Sequence, residues 1–258
     1  MTPRWPVILF DLDGTLADTI NLIVTSYQHA FREVIGHEWD EAEIKSWIGK
    51  SLIDAFKGAI GDELGEKAYA SYTAFNELNT ERLIKGYDGV PELLHDLKAA
   101  GAKIGVVTSK RRPPAEWAIG LCKLDIPLLV GHEDVPAHKP DPRPLLRGLE
   151  LLGAKVEDAV YVGDAAVDVI AARNAGLPAV AVTWGAGVRA DIEATDPLAM
   201  CDTAAELRAV LLPESRSYGG LVRRRSACHE LGRQPLQRPA GVPVPHQADE
   251  RHDRCRRG

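Results

Sequence analysis

Val7-Ile8-Leu9-Phe10-Asp11-Leu12-Asp13-Gly14-Thr15-Leu16, near the start of a 258-residue chain, runs four apolar residues into an acid, adds a second acid two positions on, and then turns at Asp-Gly. An unbroken apolar run closed by a turn signal predicts a strand buried on both faces, as found inside parallel sheets. In such sheets ligands gather at the carboxyl ends of the strands. Two carboxyls emerging there can divide a hydrolysis between them, one attacking phosphorus and the other moving a proton. The acyl phosphate so formed is itself reactive, so one hard step becomes two easier ones.

Working outward, similar runs recur at Ile104–Val107, Leu128–Val130, Val160–Val162 and Ala179–Val182. Helix-length stretches lie between the later ones, at Pro91–Ala100, Pro142–Leu152 and Val167–Ala175, each followed by a glycine at 101, 153 or 176. This alternation predicts an α/β fold, a Rossmann-like parallel sheet covered by helices. The interval between the first and second strands is too long for one crossover helix. Its segments Thr19–Ile35, Asp40–Ile48, Leu52–Ile60 and Asp62–Ile84 carry apolar residues at helical spacing, which predicts an inserted α-helical domain. The expected organisation is an α/β core from 1–16 and 86–212, a helical insert from 17–85 with Gly86-Tyr87-Asp88-Gly89 as the returning hinge, and a tail from 213–258.

The chain is 45% hydrophobic and 26% charged, with no apolar run near the roughly 20 residues that a membrane-spanning helix needs. The first residues lack the pattern of a signal peptide, so a cytoplasmic protein is expected. From Pro213 onward there are 10 arginines, no lysine and 5 acids, against 21 basic and 32 acidic residues before it. Apolar periodicity stops there as well, which predicts disorder, either as a genuine extension or as translation out of frame. Arginine binds phosphate well, yet the tail carries no folded nucleic-acid motif and no aromatic interleaving, so a nucleic-acid partner is not expected. Cys122, Cys201, Cys228 and Cys255 lie far apart without CxxC spacing and are expected as reduced thiols.

Two more strand ends, and a loop near them, carry polar groups. Thr108-Ser109 offers a hydroxyl, with a backbone amide where the chain turns into a helix. His138-Lys139-Pro140-Asp141-Pro142 holds an ammonium on a stiff loop, because the prolines exclude a helix interior. Gly163-Asp164-Ala165-Ala166-Val167-Asp168 places two acids at i and i+4, on one side of a starting helix, and hard oxygen ligands of this kind suit magnesium. Asp168 is expected either to support the Asp164 site or simply to face the helix N-terminus.

In content and order, these segments resemble the four motifs of the haloacid dehalogenase superfamily, in its phosphoglycolate-phosphatase-like branch, over residues 6–212. The resemblance implies a helical cap where the insert was placed, and a magnesium-dependent phosphatase acting on a small phosphate ester through an aspartyl-phosphate. Asp11 would be the nucleophile and Asp13 the general acid/base, with Gly14 and Thr15 of the same motif at the substrate. Thr108 and Ser109 would hold the phosphoryl group, and Lys139 would offset negative charge. Magnesium would be bound by Asp164, by Asp11 and by the backbone carbonyl of Asp13. Lys50, in Trp47-Ile48-Gly49-Lys50-Ser51-Leu52, resembles a cap-loop residue pointed at the substrate.

Phosphoglycolate is the first substrate implied, with pyrophosphate and sugar phosphates close behind, and a monomer or homodimer is expected. A phosphomutase shares every catalytic group. A dehalogenase is disfavoured by the acid at position 13. A phospho-accepting signalling module shares the Asp, Lys and hydroxyl set but has no inserted helical domain.

Overall fold

The structure, a computed structural model, describes residues 2–213. The arginine-rich stretch, apart from Pro213, lies outside the described residues, as do Cys228 and Cys255. Cys122 and Cys201 are buried free thiols.

The first apolar run forms β1 (Val7–Phe10), and all four of its residues are buried. Its side chains alternate between two cores. Ile8 and Phe10 enter one, Val7 and Leu9 the other, as a strand's two-residue period requires. The remaining strands of its sheet are β4 (Lys103–Val107), β5 (Leu129–Val130), β6 (Ala159–Gly163), β7 (Ala179–Val182) and β8 (Ala199–Cys201). All neighbours are parallel, in the order β5-β4-β1-β6-β7-β8.

Helices cover both faces. Leu93, Leu94 and Leu97 of α5 (Val90–Ala99), Ala115 and Ala118 of α6 (Arg112–Leu121), and Leu207 and Leu211 of α10 (Ala204–Leu211) pack on the Phe10 side. Leu145 and Leu149 of α7 (Arg143–Leu152), Val169 of α8 (Ala166–Asn174) and Ile192 of α9 (Arg189–Ala194) pack on the Leu9 side. The chain is therefore a three-layer α/β fold of the expected type. The expected helices and strands appear within a residue or two of their predicted ends. Among the elements not anticipated are β8, α9, α10 and α6, whose first turn holds two prolines where no intrahelical donor is needed.

Between β1 and β4 the chain leaves the sheet. The two-residue strands β2 (Ala17–Asp18) and β3 (Lys85–Gly86) pair antiparallel, Ala17 with Gly86 and Asp18 with Lys85, and bracket four helices. These are α1 (Ile20–Ile35), α2 (Glu41–Trp47), α3 (Leu52–Ile60) and α4 (Asp62–Leu83). They bury a core of their own around Tyr27, Phe31, Phe56 and Tyr72, with the Tyr27 ring 4.7 Å from that of Phe56 and 5.0 Å from that of Tyr72. Among the described residues, no helix is long and apolar enough to cross a membrane.

Candidate active site

The sheet order makes β1 the point where the topology divides, with β4 on one side and β6 on the other. Phe10 is level with Val106 and with Val162, so the residues that follow these strands emerge together at one end of the sheet. Asp11, Thr108 and Asp164 are those residues, and all three are buried.

Lys139 arrives from the loop before α7, where the Lys139–Pro140 bond is cis. Its Nζ lies 3.0 Å from Asp11 Oδ1, 2.6 Å from Asp168 Oδ1 and 3.2 Å from the Tyr161 hydroxyl, which itself donates to the Val107 carbonyl at 2.8 Å. The ammonium is held well above its ordinary range: burial opposes its charge, but the Asp11 and Asp168 carboxylates more than compensate. Asp168 Oδ2 also accepts from the Ala165 amide at 3.0 Å, so this acid faces the N-terminus of α8, as one of its two expected roles had it, and partners Lys139 as well.

Asp164 Oδ1 accepts from Thr15 Oγ1 at 3.0 Å, and its Oδ2 accepts from the Ala186 amide at 2.9 Å. The backbone crowds it on every side. Gly14 has φ +79°, and a Cβ there would fall 2.4 Å from Asp164 Oδ2. Asp13 turns the other way, with Oδ1 accepting from Thr19 Oγ1 at 2.7 Å and from Lys110 Nζ at 3.0 Å.

Carboxylate oxygens of Asp11, Asp164 and Asp168 lie within 4.8 Å of one another. Asp11 Oδ1 has the Lys139 ammonium at 3.0 Å and no other polar partner among the described residues. Burial pushes the Asp11 carboxyl up to about 7; Lys139 pulls it back, while the charges of Asp168 and Asp13 add to the rise. Burial, with the charges of Asp168 and Asp11, pushes Asp164 up to about 8 against the hydrogen bonds from Thr15 and Ala186. Four carboxyls thus share two ammonium groups, those of Lys139 and Lys110. A hard divalent cation fits this all-oxygen, undercompensated set.

Above Asp11 and Asp13 is a cavity of about 190 Å³, below the ~300–1,000 Å³ of sites for drug-sized ligands. Its floor includes Thr108, Ser109, Lys110 and Arg111, and its roof comes from the inserted helices, with Trp47, Lys50, Tyr72 and Asn76. The Thr108 oxygen accepts from the Lys110 amide at 3.2 Å, which leaves its own hydrogen to donate. Ser109 Oγ is buried without a hydrogen-bond partner among the described residues.

Of the residues expected from the sequence, Asp11, Asp13, Thr108, Ser109 and Lys50 line this cavity, while Lys139 and Asp164 stand behind Asp11. Gly14 and Thr15, expected at the substrate, lie elsewhere. Thr15 is fully buried with its hydroxyl on Asp164, and Gly14 leaves the space that Asp164 fills. Asp168 joins the expected Asp11 and Asp164 in the cluster of side-chain acids, while the Asp13 carboxylate is taken by Thr19 and Lys110, which leaves open the backbone carbonyl expected at the metal. Sequence reasoning missed Lys110 and the Trp184-Gly185-Ala186-Gly187 loop; a Gly-x-Gly directly after an apolar strand was the available signal for the second.

Comparison with known proteins bears on these features. Residues 8–182 match the family model described as haloacid dehalogenase-like hydrolase. The chain is 38% identical over 212 residues to the pyrophosphatase PpaX of Bacillus cereus (strain AH820), covering 81% of this chain and 98% of that protein. A solved structure of a predicted phosphatase from Clostridium acetobutylicum superposes with a TM-score of 0.72 at 26% identity, over 79% of this chain and 96% of that one. A predicted phosphoglycolate phosphatase from Haemophilus somnus gives 0.70 at 25% identity, over the same shares of 79% and 96%.

Proposed function

Because the chain belongs to the haloacid dehalogenase-like hydrolases, we propose that it is a magnesium-dependent phosphatase that cleaves inorganic pyrophosphate through an aspartyl-phosphate on Asp11. The observation that carries this reading is the Asp11 carboxylate itself, set at a strand end with the Lys139 ammonium 3.0 Å from Oδ1, on the floor of a small cavity.

The Asp11 carboxylate attacks phosphorus, and the bond to the departing oxygen breaks as Asp13 gives that oxygen a proton. Water then attacks the acyl phosphate, Asp13 takes a proton from it, and phosphate leaves with Asp11 restored. The Thr108 and Ser109 hydroxyls are placed to donate to the phosphoryl oxygens, and Lys139 holds the charge of Asp11 in check. Asp11, Asp164 and Asp168 would hold the magnesium ion, which neutralises the crowded acids and polarises a phosphoryl oxygen when bound.

The inserted helices serve as a cap that walls the substrate from bulk water. Lys50, Lys110 and Arg111 line the cavity and suit a leaving group that is itself a phosphate, in agreement with the PpaX likeness over nearly its whole length. Phosphoglycolate is the second reading, favoured by the Haemophilus somnus likeness.

Phosphate release from pyrophosphate, phosphoglycolate and sugar phosphates, with and without magnesium, tests the proposal. Pyrophosphate should give the highest kcat/KM, only with the metal, and Asp11→Asn should lower it by about 10³-fold or more. A wild-type rate in Asp11→Asn would overturn the nucleophile, and a preference for phosphoglycolate would overturn the substrate.

A further inference from the structure

The two donors that fix Asp164 come from distant segments. Thr15 lies in the turn after β1, and Ala186 lies in the loop after β7. Trp184 joins them. It belongs to the Ala186 loop, and its Nε1 donates to the Thr15 carbonyl at 3.1 Å. A closed circuit results, in which Asp164 accepts from Thr15 and from Ala186 while Trp184 ties one donor segment to the other.

The loop is anchored at its start, where the Thr183 amide donates to the Cys201 carbonyl at 3.0 Å. It lies flat against Asp164, so a Cβ at Gly185 would fall 2.1 Å from Asp164 Oδ2 and one at Gly187 2.0 Å from the Asp164 carbonyl oxygen. The Ala186 amide therefore reaches Asp164 only while the loop stays down. The indole N–H is the side-chain donor that ties this loop to the β1 turn, where the other donor originates.

We propose that Trp184 is a positioning residue: its indole N–H clamps the β7 loop to the Thr15 turn and so sets the orientation in which Asp164 receives a divalent cation. This rests on the reading of the acid cluster as a cation site. Trp184 also packs on the core and has its ring 6.0 Å from that of Tyr87, so the N–H must be separated from the bulk of the ring.

Two substitutions at 184 in the full chain make that separation. Trp184→Phe keeps an aromatic ring, and replacement by benzothienylalanine keeps the indole shape while removing only the N–H. Magnesium affinity is measured by titration calorimetry and manganese affinity by electron paramagnetic resonance, beside the melting temperature without metal. Both variants should bind either ion about tenfold more weakly, within the ~10–100-fold typical when a group orienting a metal ligand is lost. Excess magnesium should restore kcat, and KM for pyrophosphate should stay unchanged.

Wild-type affinity in the benzothienylalanine protein, whatever its melting temperature, would make Trp184 a packing residue and overturn the proposal. If Asp164→Asn abolished ion binding at the same time, the cation reading would still stand. Absence of ion binding in the wild-type chain would overturn both.

Discussion

Thr15 donates to Asp164 at 3.0 Å across 149 positions of sequence. The bond takes the hydroxyl away from the cavity and spends it on an acid whose neighbours are other acids. Thr15→Val should therefore raise the magnesium concentration needed for half-maximal activity and leave KM for pyrophosphate in place. The reverse pattern, with KM raised and metal requirement unchanged, would return Thr15 to the substrate.

Lys139 is the buried cation between Asp11 and Asp168. Lys139→Met removes the charge and leaves both acids without it, a loss of about 3–5 kcal/mol when one partner of a buried pair is removed. Urea unfolding without metal should show this at pH 8. The loss should shrink at pH 5, where Asp11, raised to about 7, takes up a proton. An equal loss at both values would rule out charge as the cause.

The raised carboxyls fix the sign of the pH dependence. Asp11 and Asp164 rise from 3.8 to about 7 and about 8 in the folded chain. The native state therefore binds protons more readily than the unfolded one. This contribution to stability is complete below pH ~4 and is lost as pH rises through about 7 and about 8. Thermal melts without metal should fall over that range. Added magnesium, which competes with those protons, should raise Tm more at pH 8 than at pH 6. A magnesium shift independent of pH would show that the ion binds elsewhere.

Gly14→Ala meets two obstacles, a left-handed backbone at φ +79° and a Cβ 2.4 Å from Asp164 Oδ2. The backbone alone costs about 1–2 kcal/mol for a residue with a Cβ. Moving Asp164 aside should also weaken magnesium binding more than Thr15→Val does. Calorimetric titration of the two variants side by side checks the order.

The strand ends were legible because chemistry there follows an apolar run directly, so the sequence alone puts Asp11, Thr108 and Asp164 at strand ends. The inserted helices were legible from their periodicity. Beyond these, the sequence signal weakens for physical reasons. β8 is a three-residue edge strand, with little apolar length to read. The prolines at the start of α6 look like breakers unless the first turn is recognised. Lys110 and Trp184 act through a carboxylate and a backbone carbonyl that only the folded chain brings near, and neither distance has a trace in local spacing. The contact of Thr15 with Asp164 is hidden for the same reason, since its partner follows another strand.

Ala17 facing Gly86 and Asp18 facing Lys85 put the exit from the sheet and the return to it on adjacent rungs of one short ribbon. Closing that excursion costs an entropy that grows only slowly with its length. The four-helix module is thus plugged into the hydrolytic platform through a fixed socket. A larger, smaller or differently lined module could occupy the same socket without disturbing a single rung of the sheet beneath, so new substrates are open to this chain through exchange of its roof alone.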